Sequence, residues 1–582
     1  MKIVLTVHQF PPEYISGTEV LTFSVAKDLM RRGHEVRVLT GAPAKAPLRD
    51  AERFDEYEIE GIRVYRFTHE FVPMGDQNVI MEMEYTNRLV ARYFQSLLDE
   101  FQPDLVHIFH MSRLGTSIID VATGMKIPTY FTPTDFWSAC PTSLLMLDDG
   151  TPCKGPEGAG GNCVRHVAMR ARWSRIAKAA KYAPDFLADQ VVTLARKGWL
   201  PRQMPFRNEI SALSRRHEFV ISRLNALNGI VSPTNLMTDA LTRNGVRPEL
   251  IRQHMYGINI DNYNDVIRAH VQGRTLTFGF IGGLSSHKGC HVLIKAIRKL
   301  TRADVRLKIY GNPKDSPAYF AELQSLADGA PFIEFCGTFP NGKIAEVLSG
   351  IDALVVPSVW FENAPLVIHS ALAARCPVVA SNFPGMSEVV RHGENGLLFE
   401  PGNPDSLADT LRRVLEEPTL LSELSSRCRP PKSIAEYVDE ILAVYASPPA
   451  PEGGRGIVEF RRFEPMDPRN EASFVSGWCI AKAGEPMSVE IRVNDRVVAQ
   501  TRQFAPRPDV RAGFGGAGLV IRGEQFGFAL SFPAGIQRIN ASVRIAAPDG
   551  QTRDLSMSEL AAGSMVKVGD DFFIGLDQEC FS

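Results

Sequence analysis

Apolar residues in this chain fall into two kinds of run, and the switch between them divides it. From Lys2 to about residue 446, short and nearly continuous apolar runs alternate with stretches whose apolar positions recur at helical spacing. Lys2–Val7 reads as a strand, a Pro/Gly loop follows, and residues 18–32 read as a helix closed by Gly33. Residues 35–40, 104–109 and 129–132 predict further strands of the same scheme. A second set begins at Thr275, with strand 276–281, a glycine loop, helix 291–300 and strand 305–310. Strand 353–356, helix 366–374, strand 378–380 and a helix over 404–416 continue it. Runs apolar on both faces belong in parallel sheets covered by helices. Two such sets predict an α/β fold of two doubly wound, Rossmann-like domains over 1–270 and 271–446. The ligand cleft is expected between them, outside the carboxyl ends of the strands.

Past the Pro/Gly linker SPPAPEGGRG (447–456) the period becomes two. Val489–Val493 alternates, Asn494 and Asp495 offer a turn, Phe528–Phe532 alternates again, and Val543–Ala547 precedes a second turn at Asp549 and Gly550. An antiparallel β-sandwich over 457–582 is the expectation.

Composition adds bounds. With 44% apolar and 22% charged residues over 582 positions, the chain can bury large cores, and a net charge of −2 gives no global pull toward nucleic acid. The apolar run before His8 and the Pro11–Pro12 pair is too short for a signal peptide, and no stretch has the apolar length of a membrane span. A cytoplasmic location is expected. Nine cysteines spread over this length do not form a secreted disulfide scaffold.

Two loops carry anion chemistry. In FENAPLVIHSALAARCPVVAS (361–381), Glu362 is an acid at the mouth of a sheet, Asn363 reads as a helix cap, and Pro365 and Leu366 open the first turn. Helix-terminal amides beside a carboxylate suit phosphates and sugar hydroxyls together. In FIGGLSSHKG (280–289), Gly282 and Gly283 allow close backbone approach and Lys288 supplies an ammonium. A tight turn with a solvated lysine is the plainer reading of that second loop.

These two segments, with FPGMSEVVRHGENGLLFEPGNPDSLA (383–408), stand in the order and spacing of the retaining glycosyltransferases of family 4. The SGTE loop (16–19), RRGHEVRVLT and PDLVHIFH (103–110) extend the likeness, so residues 1–445 resemble that family, in the manner of glycogen synthase and phosphatidylinositol mannosyltransferase. The resemblance implies the glycosyltransferase B architecture and transfer from a UDP- or GDP-linked sugar without a required metal. It implies that Glu362 contacts donor-sugar hydroxyls, that Asn363, Ala364 and the next helix cradle the diphosphate, and that Lys288 binds it. Gly17 and Thr18 would approach phosphates and acceptor, and His110, less readily His107, the transferred sugar. Glu388 and Asn395 fall in the segment that shapes the nucleotide side. Two positions depart from the pattern. Ser370 stands where relatives carry a second glutamate on the ribose; a hydroxyl there weakens donor binding by roughly tenfold, unless His369 compensates. Gly283 stands where many relatives carry an arginine.

Cys140, Cys153, Cys163 and His166 are spaced x12, x9 and x2, a soft ligand set ending in C-x-x-H. A structural zinc pinning loop 140–166 is one reading; small buried residues with a solvated histidine is the other. Across the helical insertion 164–228, Lys and Arg crowd the part from Val164 to Arg216 around Trp173 and Trp199. It reads either as a peripheral contact with anionic membrane or as a solvated face packed on the first domain. The functional expectation is sugar transfer to a glycan or lipid-linked acceptor in cell-surface polysaccharide assembly. A non-catalytic glycan-binding scaffold and a sugar-nucleotide epimerase are the alternatives.

Overall fold

The computed structural model describes residues 1–147, 150–170, 184–263, 275–300 and 304–446, and beyond them nine strands between 473 and 580. The chain forms two compact units, Met1–Pro449 and Ala450–Ser582. The linker over 447–456 and the turns at Asn494–Asp495 and Asp549–Gly550 lie outside the described residues.

In the first unit, one sheet contains β1 (Lys2–Val7), β2 (Glu35–Pro43), β3 (Phe54–Ile59), β4 (Ile62–His69), β5 (Leu105–Ile108), β6 (Thr129–Phe131), β7 (Gly229–Ser232) and β8 (Ile251–Gln253). Its order is β3-β4-β2-β1-β5-β6-β7-β8, parallel throughout except for the β3–β4 hairpin at one edge. Helices cover both faces. Helix Gly17–Arg31 buries Leu21, Val25 and Leu29 on one side, and helix Arg88–Phe101 buries Val90, Phe94 and Leu98 on the other. The edge hairpin was not read from the sequence because it alternates weakly: only Ile62, Val64 and Phe67 of β4 are fully buried.

The second sheet holds β9 (Leu276–Ile281), β10 (Val305–Tyr310), β11 (Ile333–Gly337), β12 (Ala353–Val356), β13 (Val378–Ser381) and β14 (Gly396–Phe399). Its order, β11-β10-β9-β12-β13-β14, is wholly parallel and doubly wound. Strand order reverses between β9 and β12 here, and between β1 and β5 in the first sheet. Loops leaving those strands part to opposite faces and open the crevice in which such sheets bind ligands.

The last helix of this unit, Ile434–Ala446, belongs by sequence to the second domain yet packs on the first. Tyr437, Val438, Ile441 and Val444 join the core of helix Gly17–Arg31, and Arg32 pairs with Asp28 at 2.6 Å and with Asp439. His107, on β5, lies under this helix: its ring bonds Tyr445 Oη and, at 2.8 Å, Thr132 Oγ1. Burial holds His107 neutral, its pKa pushed down to about 3. His369 is buried likewise in helix Leu366–Ala373, pushed down to about 4, and neither ring nitrogen has a partner among the described residues.

The second unit is two antiparallel sheets. One holds β15 (Ser473–Ala481), β18 (Ala505–Pro506), β19 (Gln525–Phe532), β22 (Met565–Val568) and β23 (Phe572–Cys580) in the order β18-β19-β15-β23-β22. The other holds β16 (Ser488–Val493), β17 (Arg496–Thr501), β20 (Ala541–Ala546) and β21 (Thr552–Ser556) as β17-β16-β20-β21. Val489, Ile491, Val543 and Ile545 bury the alternate positions of β16 and β20, so the period-two reading matches the burial.

Truncating Ile441 to Ala removes a core side chain that no other element replaces and should destabilise the first unit by about 2–5 kcal/mol in denaturant titration. A change under ~0.5 kcal/mol would mean that the helix is not part of that core. The buried histidines give a signed pH effect. An unfolded histidine titrates near 6.5, roughly its unperturbed value, so below that pH the unfolded chain binds protons that the folded chain cannot. Stability is therefore full above about pH 6.5 and falls as pH drops toward 4. His369→Leu should lose about 2–3 kcal/mol less than the parent between pH 6.5 and 4.5; parallel stability curves would refute this.

Candidate active site

Lys288 and Glu362 meet at the reversal point of the second sheet, one after β9 and the other after β12. The ammonium donates to Glu362 Oε1 at 2.7 Å. That same oxygen accepts Ser358 Oγ at 2.7 Å and Trp360 Nε1 at 2.9 Å, while Lys288 sits 5.2 Å from the Trp360 ring centre. Burial works to raise the carboxyl pKa, but the Lys288 charge and the three donors outweigh it and hold Glu362 ionised, below its usual range. All three bonds fall on one oxygen, so Oε2 is the atom left to accept from a hydroxyl. Two glycines make the approach sterically feasible. Gly289 has φ +73°, and a Cβ there would lie 1.8 Å from Pro357 O. Gly385 has φ +87°, and a Cβ would lie 1.9 Å from Glu362 O.

The remaining second-domain residues divide by role. Ala364 adopts φ +52° and is buried, turning the chain into helix Leu366–Ala373. Pro365, not Asn363, is the N-cap, which corrects the reading of Asn363 as a capping residue. The Asn363 carboxamide is spent on the first domain instead. It donates to Pro133 O at 3.1 Å and Tyr256 Oη at 3.2 Å, and accepts from Thr234 Oγ1 at 2.9 Å. Any anion cradle must therefore use backbone amides at this helix start. Leu366 faces Gly17, whose Cβ would stand 3.9 Å from Leu366 Cδ1, so the N-termini of helices Gly17–Arg31 and Leu366–Ala373 approach each other across the cleft. Gly17 and Thr18 form the first turn of the former, after Ser16. Gly282 donates to Tyr310 O at 3.1 Å, and Gly283 faces Asp315, 3.5 Å from where its Cβ would be. Ser370 is buried and hydrogen-bonds the Tyr263 phenol oxygen. Asn395 stays in its own loop, donating to Val389 O. Glu388 accepts the amides of Asn235 at 2.7 Å and Leu236 at 3.0 Å, a second bond set between the lobes.

On the first-domain side, His110 follows β5 and His8 follows β1, and their ring centres lie 4.1 Å apart at a tilt of 41°. His110 Nε2 lies 2.9 Å from Asp135 Oδ2, and its Nδ1 accepts the Ser112 amide at 3.0 Å, which assigns the Nε2–H tautomer. His8 Nε2 lies 3.3 Å from Glu19 Oε1, and Ser16 Oγ donates to the same carboxyl group. Burial raises the Glu19 pKa and, with His110 adding to it, lowers that of His8. His107 is removed from this constellation by its place in the core. Sequence reading missed His8, Glu19 and Asp135. His8 follows β1 and Glu19 lies in the first turn of the next helix, at the sheet reversal, and Asp135 comes from the loop after β6, so the grouping is visible only once strand order is known.

The cysteine loop also gathers. Cys140, Cys153, Cys163 and His166 all line one enclosed cavity. Among the described residues no three His, Cys, Asp or Glu side chains stand close enough to hold a metal ion as they are. Of the basic stretch, Arg216 proves to be buried and so does not belong to a solvated face, whereas Arg196 is exposed and Arg207 half-buried, each bonding a backbone carbonyl.

Comparison with known proteins agrees with this layout. Residues 16–257 match the family described as glycosyl transferase 4-like domain, and residues 275–417 the family described as glycosyl transferases group 1. An uncharacterized glycosyltransferase of Methanocaldococcus jannaschii is 24% identical over 422 residues, covering 72% of this chain and 90% of that one. D-inositol 3-phosphate glycosyltransferase of Rhodococcus opacus is 29% identical over 212 residues, 34% of this chain; the match spans 47%, about half, of that relative. In fold, the chain resembles sucrose-phosphate synthase of Thermosynechococcus elongatus (TM-score 0.52, 16% identity, covering 76% and 98% of the two chains). It also resembles Anabaena HepE in complex with UDP-glucose (TM-score 0.51, 17% identity, 77% and 100%). The first unit thus carries a glycosyl transferase 4-like domain over 16–257 and a glycosyl transferases group 1 domain over 275–417, arranged in the glycosyltransferase B fold.

Proposed function

We propose that this chain is a retaining, metal-independent glycosyltransferase moving a sugar from a nucleotide diphosphate donor to a glycan or lipid-linked acceptor. Assembly of a cell-surface polysaccharide at the cytoplasmic face of the membrane is the process it would serve. One observation carries the reading: a half-buried ammonium and a buried carboxylate joined at 2.7 Å at the sheet reversal, beside two converging helix N-termini. As the donor bond breaks, negative charge grows on the leaving diphosphate. Lys288 and the amides at Leu366 and Gly17 are placed to stabilise that charge. Glu362 Oε2 would orient the sugar through its hydroxyls. The diphosphate then takes the acceptor proton from the same face, which retains the anomeric configuration. UDP-linked sugars are the first donors to try, because HepE is complexed with UDP-glucose.

A second reading, a glycan-binding protein with a degenerate site, is favoured by Ser370, already engaged by Tyr263, and by Asp315 facing Gly283 where a cation would help a diphosphate. Lys288→Ala should lower kcat/KM for sugar transfer by about 10²–10³-fold, with Glu362→Gln comparable and circular dichroism unchanged. Binding of UDP or GDP without turnover against any acceptor extract would favour the second reading, and wild-type turnover in both variants would refute the first.

Membrane contact is part of the proposal, and exposed Phe186, Leu187, Leu194 and Trp199, with Lys197 5.1 Å over the Trp199 ring, support it. No helix among the described residues is long and apolar enough to cross a membrane, so the contact would be interfacial. Phe186→Ser with Trp199→Ser should reduce sedimentation with anionic vesicles by roughly tenfold. Equal binding to neutral vesicles would argue against charge attraction.

A further inference from the structure

Loop 140–166 leaves the first domain just after Asp135, the residue that holds His110. Cys140 closes that turn, its amide donating to Phe136 O at 2.8 Å. The loop then returns so that Cys153 and Cys163 line the same cavity as Cys140, with His166 one helical turn past Cys163. This cavity is about 10 Å³ and enclosed, room for a single small occupant. Three sulfurs and an imidazole around one such space are the ligand types of a structural zinc site, which is four-coordinate and closed. The cysteines are thiols, not disulfides. The Gly155 amide points at Cys153 Sγ at 3.4 Å, a donor suited to a thiolate.

A second observation is independent of the sulfurs. Arg216 is 2% exposed and is the largest fully buried side chain. Among the described residues no carboxylate lies within ion-pair distance, its Nε has no partner, and its Nη2 donates to Trp137 O at 2.5 Å. Its guanidinium lies 4.7 Å from the Trp137 ring centre. Glu84, the acid whose charge acts most on it, is engaged by Arg113 at 2.7 Å. Cys140 and Cys163 are its next electrostatic neighbours. A buried cation without a counter-charge is costly, and neutral thiols do not supply one. Zinc held by three thiolates and a histidine carries one net negative charge, which matches the single positive charge of Arg216.

We propose that Cys140, Cys153, Cys163 and His166 bind one structural zinc ion whose anionic thiolate shell is the counter-charge of Arg216. Coordination at about 2.3 Å for each sulfur asks the thiols to turn inward from where they stand, and binding releases their three protons. The ion has no open position for substrate. It would instead fasten the turn from Asp135 to Cys140, and so the carboxylate that orients His110.

Metal analysis of the full-length protein, expressed in medium with added zinc and purified without chelator, should find about one zinc per chain. Cys153→Ser and His166→Ala should each lose most of it. Exchange with cobalt(II) should give the visible bands of a tetrahedral thiolate site, weakened in the same variants, and this readout does not depend on sugar transfer. Natively folded protein free of metal overturns the proposal, as does zinc retained in both variants. A disulfide between any two of these cysteines in freshly purified protein overturns it too.

Discussion

The bond between Lys288 and Glu362 is the constraint around which the second domain is arranged. The carboxylate leaves water to make it while the ammonium stays partly exposed, and burying a charge is repaid only when the pair's geometry is good and the remaining valences are filled. Here three donors converge on one carboxylate oxygen, and two glycines allow the backbones to touch where any side chain would collide. The pair also conceals the site's charge. Under the proposed function, the crevice would offer a diphosphate an exchange of partners: the anion would take over Lys288, and Glu362 would be released toward sugar hydroxyls. Binding organised as an exchange rewards a ligand that carries phosphate and sugar together over one that carries either alone.

The two sheets present their reversal points in chemically different ways. In the second domain the loops after β9 and β12 bring a fixed positive charge and a fixed negative one. In the first, the loops after β1 and β5 bring His8 and His110, with carboxylates behind each ring at 3.3 and 2.9 Å. The former array is suited to holding a charged leaving group, the latter to orienting or exchanging protons with a neutral hydroxyl. Asp135 holds the His110 ring from behind at 2.9 Å, while Glu19 stands beside His8 with its nearer oxygen, Oε1, making no hydrogen bond among the described residues.

Much of the second domain was legible in the sequence because its central strands β12 and β13 are buried on both faces. Residues 276–281 and 353–356 are largely apolar runs bounded by turn residues, residues 305–310 alternate apolar with basic positions, and the strands begin and end there. Glu362 and Lys288 were legible for a related reason, since an acid and a lysine in otherwise apolar, glycine-rich segments have few structural roles. The edge hairpin β3–β4 was not, because a strand half open to solvent alternates too weakly to stand out. Arg216 was misplaced because charge counting assumes that arginines face water. Asn363 was misjudged because a cap and an interlobe bond need the same side chain, and only the opposing residues Pro133, Thr234 and Tyr256 tell them apart.

Those interlobe bonds set a scale for the cleft. Asn363 makes three hydrogen bonds across it and Glu388 two. Neutral bonds contribute about 0.5–1.5 kcal/mol each and charged ones about 1.5–3, so the set is comparable to the binding energy of a micromolar ligand, about 8 kcal/mol. Both residues attach the lobes through segments flanking Glu362: Asn363 is its neighbour in sequence, and Gly385, three residues before Glu388, lies against its carbonyl. Any shift of one lobe against the other must therefore pull on the loop that holds the carboxylate. The geometry of the Lys288–Glu362 pair and the closure of the cleft are in that sense one variable, and a ligand that exchanges partners with the pair acts on both.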